Sequence, residues 1–161
     1  WDRIIAFEGR MHEFIKAAYD YQDNTFHSHP GYYIDYFEMR LAQLQVLHNL
    51  HYEIKKIRKM PKQALVIADY IMYMADYVVE MNIPDQQIEK LEEISEQMKQ
   101  EELPKTREEF EGRALLYHIL MDLEEFLVYK KRFVNGLDEK KLRIYWKQEM
   151  EQKDSANELQ K

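Results

Sequence analysis

Apolar residues return at three- and four-residue steps along almost the whole chain, and breaks rich in Pro, Gly and Asn cut that pattern into six helical segments. The first spans about Asp2 to Asp23, with Ile4, Phe7, Met11, Phe14, Ile15, Ala18 and Tyr19 on one stripe. A polar turn, Asn24 to Gly31, separates it from a second helix over Tyr32–Arg58, which carries Ile34, Phe37, Leu41, Leu44, Leu47, Ile54 and Ile57 inward. Pro61 suits a first helical position, where the missing amide hydrogen costs nothing, and the pattern predicts a third helix from there to about Met81. Pro84 and Asp85 restart a short acidic helix to about Glu101. Gly136 stops the fifth, and Asp138 can cap a sixth from Glu139 to about Gln152.

The fifth segment has the most specific start. Thr106 and Glu109 have the T-x-x-E spacing of a capping box, in which the Thr hydroxyl takes the amide hydrogen three residues on and the Glu reaches back to the Thr amide. Pro104 discourages a helix from running through. Phe110, Leu116, Leu120, Leu123, Leu127 and Val134 then form a core-facing stripe, and Glu108, Glu111, Asp122, Glu125 and Lys130 form a wet face.

This segment resembles the C-terminal domain of the bacterial putative aromatic acid exporter family, in which the pattern P-K-T-R-E-E-F-E-x-R-A-x-L-x-x-x-L-x-x-L-E-x-F-L opens the last long helix. Here Pro104 to Arg113 carry it, followed by Ala114, Leu116, Leu120, Leu123, Glu124, Phe126 and Leu127. A looser likeness extends to YYIDYFEMRLAQLQVLHNL and PDQQIEKLEEISEQM, so it covers most of the chain. The resemblance implies a cytosolic helical appendage of a membrane protein whose transmembrane helices lie outside this chain. It transfers no catalytic residues.

Composition agrees with an all-α fold: four Gly, four Pro, and many Glu, Lys, Leu, Met and Gln in 161 residues, enough for one domain with its own core. With no Cys, disulfides, thiol nucleophiles and thiolate metal sites are excluded. A formal charge of −7 argues against general nucleic-acid binding. No signal peptide is visible, and a start at Trp1 without an initiator Met is expected either of a piece cut from a longer protein, which fits an excised domain, or of a processed start.

Several side-chain groups could carry chemistry. Ala64 to Met81 is apolar on nearly every side and approaches the length of a bilayer span, but Asp69 and Asp76 in its interior favour a buried helix of a soluble fold. Asp69, Tyr73, Asp76 and Glu80 form a polar stripe on it, either its solvent edge or a row lining a ligand cavity. Tyr70, Tyr73, Tyr77, Tyr117 and Tyr129 could surround such a cavity, with Arg40 or Arg113 holding a carboxylate, or simply pack. His48 and His51, three apart, could chelate a metal, but a third ligand and the Glu-x-x-His pairs of di-metal bundles are missing. His27 and His29 read as surface-loop residues, and His12 and His118 as single helix-borne rings. Without a phosphate loop or nucleophile elbow, no enzyme and no cofactor are expected.

Lys55, Lys56, Arg58, Lys59 and Lys62 crowd the end of the second helix. They complement the helix C-terminus, and they can also meet anionic lipid headgroups. The acidic fourth helix, with Glu89, Glu92, Glu93, Glu96, Glu101 and Glu102, should then point away from that surface.

The expectation is an antiparallel bundle of about four long helices with shorter accessory ones over residues 1–152, ending in a frayed or disordered tail, 153–161. It would be a non-enzymatic interaction or regulatory domain on the cytoplasmic face of the plasma membrane, itself soluble. Its partners would be the transmembrane half of the same protein, a second copy in a homo-oligomer, and the anionic membrane surface. The alternative is a free-standing soluble bundle binding a small molecule or metal.

Overall fold

The computed structural model describes residues 2–24, 30–58 and 60–146, and six helices with no strand occupy them. In order they are α1 (Asp2–Asn24), α2 (Pro30–Lys56), α3 (Ala64–Ala75), α4 (Asp85–Lys99), α5 (Arg107–Asn135) and α6 (Glu139–Tyr145). The four longest are α1, α2, α4 and α5, while α3 and α6 are accessory. His27, His29, Lys59, the stretch from 147 to Gln152 and the tail 153–161 lie outside the described residues.

Neighbouring helices run antiparallel. Phe14 stacks on Phe37 at 5.5 Å and the Tyr19 hydroxyl donates to Glu38 at 2.7 Å, which lays α1 along α2. The Gln43 amide donates to the Phe126 carbonyl at 2.8 Å while Tyr32 meets Phe133 at 5.5 Å, so α2 runs against α5. Asp85 pairs with Lys131 at 3.0 Å at one end of α4, and Glu101, just past its other end, approaches Arg113 at 3.9 Å. The Tyr70 hydroxyl donates to the Gln87 carbonyl at 2.7 Å, joining α3 to α4.

The main core gathers Val46 and Leu50 of α2, Ile67, Tyr70 and Met74 of α3, Leu91, Ile94 and Met98 of α4, and the α5 stripe Leu116, Leu120, Leu123 and Leu127. Each fully buried aliphatic or aromatic side chain contributes about 1.5–3 kcal/mol relative to exposure, so this layer dominates the fold's stability. A second cluster closes the other end: Tyr32, Met39, Phe133 and Trp146 are buried together. There the Trp146 indole donates to the Tyr32 hydroxyl at 3.0 Å, and that hydroxyl donates to Glu80 at 2.7 Å.

The cap of α5 forms with one change. Thr106 accepts from the Glu109 amide at 3.1 Å, but the Glu109 carboxylate takes the Lys105 amide at 2.9 Å, one residue before the expected Thr106 amide. Asp138 caps α6 by accepting from Lys141 at 2.7 Å. Gly136 ends α5 with an ordinary right-handed φ of −80°, so it stops the helix without left-handed geometry.

Several positions depart from the helical pattern. The third helix starts at Ala64, after turns closed by Pro61 and Lys62 carbonyls, and ends at Ala75, where three-residue hydrogen bonds take over through Val78. It is also not buried all round: Leu65, Val66 and Met72 face outward, because α3 packs through the side that carries Ala64, Ile67, Tyr70 and Met74, with Ile71 and Tyr73 partly buried beside them. No helix among the described residues is long and apolar enough to cross a membrane. On α5, Phe110 is 62% exposed and Lys130 only 4%, the reverse of their places in the pattern. Phe110 sits in the first turn, ahead of Gly112, the first buried residue of the helix. Lys130 lays its amine over Phe133 at 5.3 Å and Trp146 at 5.4 Å and donates to the Glu80 carbonyl. On α1 the Ile4 side chain lies outside what is described; of the rest of the expected stripe only Met11 is fully buried, Ile15 and Ala18 are half-buried, and Phe7, Phe14 and Tyr19 stay exposed, as does Ile54 on α2.

Candidate interaction surface

One end of the bundle is built by the last turn of α2, the 57–63 connection, the 100–106 connection and the first turns of α5. It collects most of the basic run. Lys55 and Lys56 lie in the last turn of α2, complementing its C-terminal dipole. Lys56 pairs with Glu53 at 2.7 Å. Lys55, Arg58 and Lys62 form no ion pair with a described carboxylate.

The acidic run does not keep clear of this end. Because α4 runs antiparallel to α3, it delivers Glu101 and Glu102 beside Lys62, where the Gln63 amide donates to Glu101. A cleft of about 550 Å³ is lined there by Met60, Lys62, Glu101, Leu103, Lys105 and Arg113, among others. Glu102 pairs with Lys105 at 3.2 Å and Arg107 with Glu111 at 2.8 Å. The Arg113 guanidinium pairs with Glu109 at 2.8 Å and donates to the Glu102 carbonyl. Glu109 is held below the usual carboxylate range by the Lys105 amide first and Arg113 second. A second groove, of about 840 Å³, runs between the α2 end and α5, with Lys56, Arg58, Arg107, Phe110 and His118 along it.

The ligand-binding candidates do not converge. Asp69 and Asp76 are exposed on the outer side of α3 and the turn after it. Tyr73 accepts from the Gln87 amide at 3.2 Å and stacks under the Lys90 amine at 3.8 Å, so it is occupied by α4. Glu80, past the end of α3, leaves that row to bind Tyr32. Tyr117 is exposed on α5, while Arg113 turns toward the 101–109 segment. Of the five tyrosines, Tyr73 meets Tyr70 at 6.0 Å and Tyr77 at 4.9 Å, and Tyr129 donates to Glu125 instead. Arg40 is engaged by Tyr36 at 3.1 Å and Gln43 at 2.9 Å.

His48 and His51 share a face, and Tyr52 fills the space beside them, 5.7 Å from one ring and 6.1 Å from the other. Burial, then the Lys55 cation, lowers the His51 pKa. No group of three or more His, Asp or Glu side chains among the described residues is arranged to hold a metal ion.

The periodic pattern missed the polar groups buried between helices: Gln43, Gln87 and Lys130. Asp122 is another such group. Its Oδ2 is buried without a hydrogen-bond partner among the described residues, and burial, then Glu53 and Glu125, raises its pKa. Single long polar side chains within apolar stretches carry no sequence signal of their own.

Comparison with known proteins is informative about kind. The chain is 32% identical over 98 residues to the uncharacterized protein YqjA of Bacillus subtilis (strain 168), an alignment covering 61% of this chain and 30% of that protein, so the chain spans less than a third of its relative. The crystal structure of a "putative membrane protein" from Clostridium difficile 630 has the same fold, with a TM-score of 0.71 and 26% identity over 81% of this chain and 77% of that one. The family described as "Putative aromatic acid exporter C-terminal domain" matches residues 2–131, and this chain, with its all-α bundle and its Pro104–Leu127 signature, belongs to that family.

Proposed function

We propose that this chain is a non-enzymatic interaction and regulatory domain on the cytoplasmic face of a membrane transport protein, and that the α2 end of the bundle faces the membrane. One observation carries the reading: the start of α1 and the unpaired cations lie at the same end. From the Phe14–Phe37 stack, an antiparallel pair rising about 1.5 Å per residue puts Asp2 level with the Asn49 region of α2, about two turns short of Lys55. In a protein whose C-terminal domain this is, the remainder precedes α1. Family membership supports such a remainder, and the family's name supports transport as its business.

The electrostatics are modest. A basic side chain near an anionic surface contributes about 1 kcal/mol, so Lys55, Arg58 and Lys62 together supply about 3 kcal/mol, weak binding in the millimolar range. Glu101, Glu108 and the net charge of −7 oppose it. The membrane end therefore orients a domain tethered by its own chain and does not recruit it. Sedimentation with vesicles containing phosphatidylglycerol should show weak binding at low salt, lost at high salt as the Debye length falls from about 10 Å at 0.1 M toward 3 Å at 1 M. Vesicles of phosphatidylcholine alone should bind little. Replacing Lys55, Arg58 and Lys62 by Gln should abolish the binding with helicity intact. Binding unchanged by those replacements would leave helix-end complementarity as the whole account of the cluster.

A further inference from the structure

We infer that Met60, Leu103 and Phe110 are an apolar wedge that enters the bilayer interface below the headgroups, a deepening that rests on the membrane-facing reading above. The three are 65%, 85% and 62% exposed, and all sit at the α2 end. The opposite end buries Tyr32, Phe133 and Trp146, and the apolar side chains it leaves out, Tyr33, Val79 and Ile144, are less exposed, at 44%, 52% and 46%. An isolated exposed apolar residue is ordinary, but three gathered at one end are not scattered surface.

Their neighbours select the occupant. Each apolar tip has a cation two or three residues away in sequence: Lys62 by Met60, Lys105 by Leu103, Arg107 by Phe110. Met60, Leu103, Lys62 and Lys105 border one cleft, and Phe110, Arg58 and Arg107 border the other. An interface of anionic phosphates over acyl chains matches that alternation, since the cations stay at headgroup level while the apolar tips pass below. The acids at this end are Glu53, Glu101, Glu102, Glu108, Glu109 and Glu111. Glu53, Glu102, Glu109 and Glu111 are neutralised by Lys56, Lys105, Arg113 and Arg107, while Glu101 is bound by the neutral Gln63 and lies 3.9 Å from the guanidinium that Glu109 already holds. That leaves Lys55, Arg58 and Lys62 against Glu101 and Glu108, a small positive excess.

The chain has no cysteine, so single cysteines can be introduced and labelled with an environment-sensitive dye. Met60→Cys, Leu103→Cys and Phe110→Cys should each give a blue shift and a several-fold rise in emission when phosphatidylglycerol vesicles are added at low salt. Met121→Cys, 64% exposed in mid-α5, should not respond. Replacing Met60, Leu103 and Phe110 together by Ser should lower vesicle partitioning several-fold while leaving the circular dichroism unchanged. Vesicle sedimentation with unresponsive dyes at the three tips would overturn the wedge and leave the electrostatic reading standing. No sedimentation at low salt would overturn both. A dye response to protein concentration without vesicles would identify a second copy of the chain as the occupant and overturn the inference.

Discussion

The Trp146 indole donates to the Tyr32 hydroxyl at 3.0 Å across 114 residues of sequence, and through that hydroxyl it is joined to Glu80. One phenol thus ties α2, the turn after α3 and the end of α6 together. Removing it by Tyr32→Phe leaves a buried indole N–H without its partner, and should destabilise the protein by about 1–3 kcal/mol. Trp146→Phe should cost a similar amount in urea denaturation. The double variant should cost clearly less than the sum, with a coupling of about 0.5–3 kcal/mol. Additive effects would mean that the bond contributes nothing.

The two faces of the bundle should respond oppositely to truncation. Leu120 is buried in the main core, so Leu120→Ala should cost about 2–5 kcal/mol. Met72 is 72% exposed on the outer side of α3, and Met72→Ala should stay within about 0.5 kcal/mol of the parent. Equal losses in denaturant midpoint would show that the outer side of α3 is covered.

The start of α5 should matter measurably even though it is exposed. Thr106→Ala removes the acceptor of the Glu109 amide and should cost about 0.5–2 kcal/mol by thermal or chemical unfolding. Glu109 has its pKa lowered in the fold, by the Lys105 amide and then Arg113. Its contribution is therefore present above the ordinary carboxylate range and is lost as pH falls through the depressed value. Glu109→Gln should flatten that part of the acid-side stability profile.

Asp122 should behave with the opposite sign. Its native pKa is raised, by burial first and then by Glu53 of α2 and Glu125, with His118 acting against them. The folded state holds the proton more tightly than the unfolded chain does, so ionisation at neutral pH subtracts from stability and protonation restores it. Asp122→Asn should raise the melting temperature at pH 7, and the gain should shrink as pH falls through the raised native value. A melting temperature lowered by the substitution at pH 7 would reveal a partner that the carboxylate needs.

The sequence by itself determined the helices and the main stripe of the core. Leu116, Leu120, Leu123 and Leu127 are buried because a 3.6-residue period places them on one side of α5 wherever that helix packs. The Thr106 and Asp138 caps were legible because capping is a contact within three residues of chain. So was the family, through a local run of side chains. Which end of each helix outlasts the core was not legible, because periodicity assigns a face and says nothing about where the partner helix stops. Phe110 and Ile54 therefore came out exposed, and α3 kept an apolar outer side. The polar interior was hidden for a related reason. Lys130 reaches a carbonyl and three aromatic rings from α2, α5 and the end of α6, a set assembled only when those elements pack. The candidate surface has the same origin. Its cations were visible as a run, but their coincidence with Met60, Leu103 and Phe110, and with the acids Glu101 and Glu102, exists only because antiparallel packing returns four chain segments to one end.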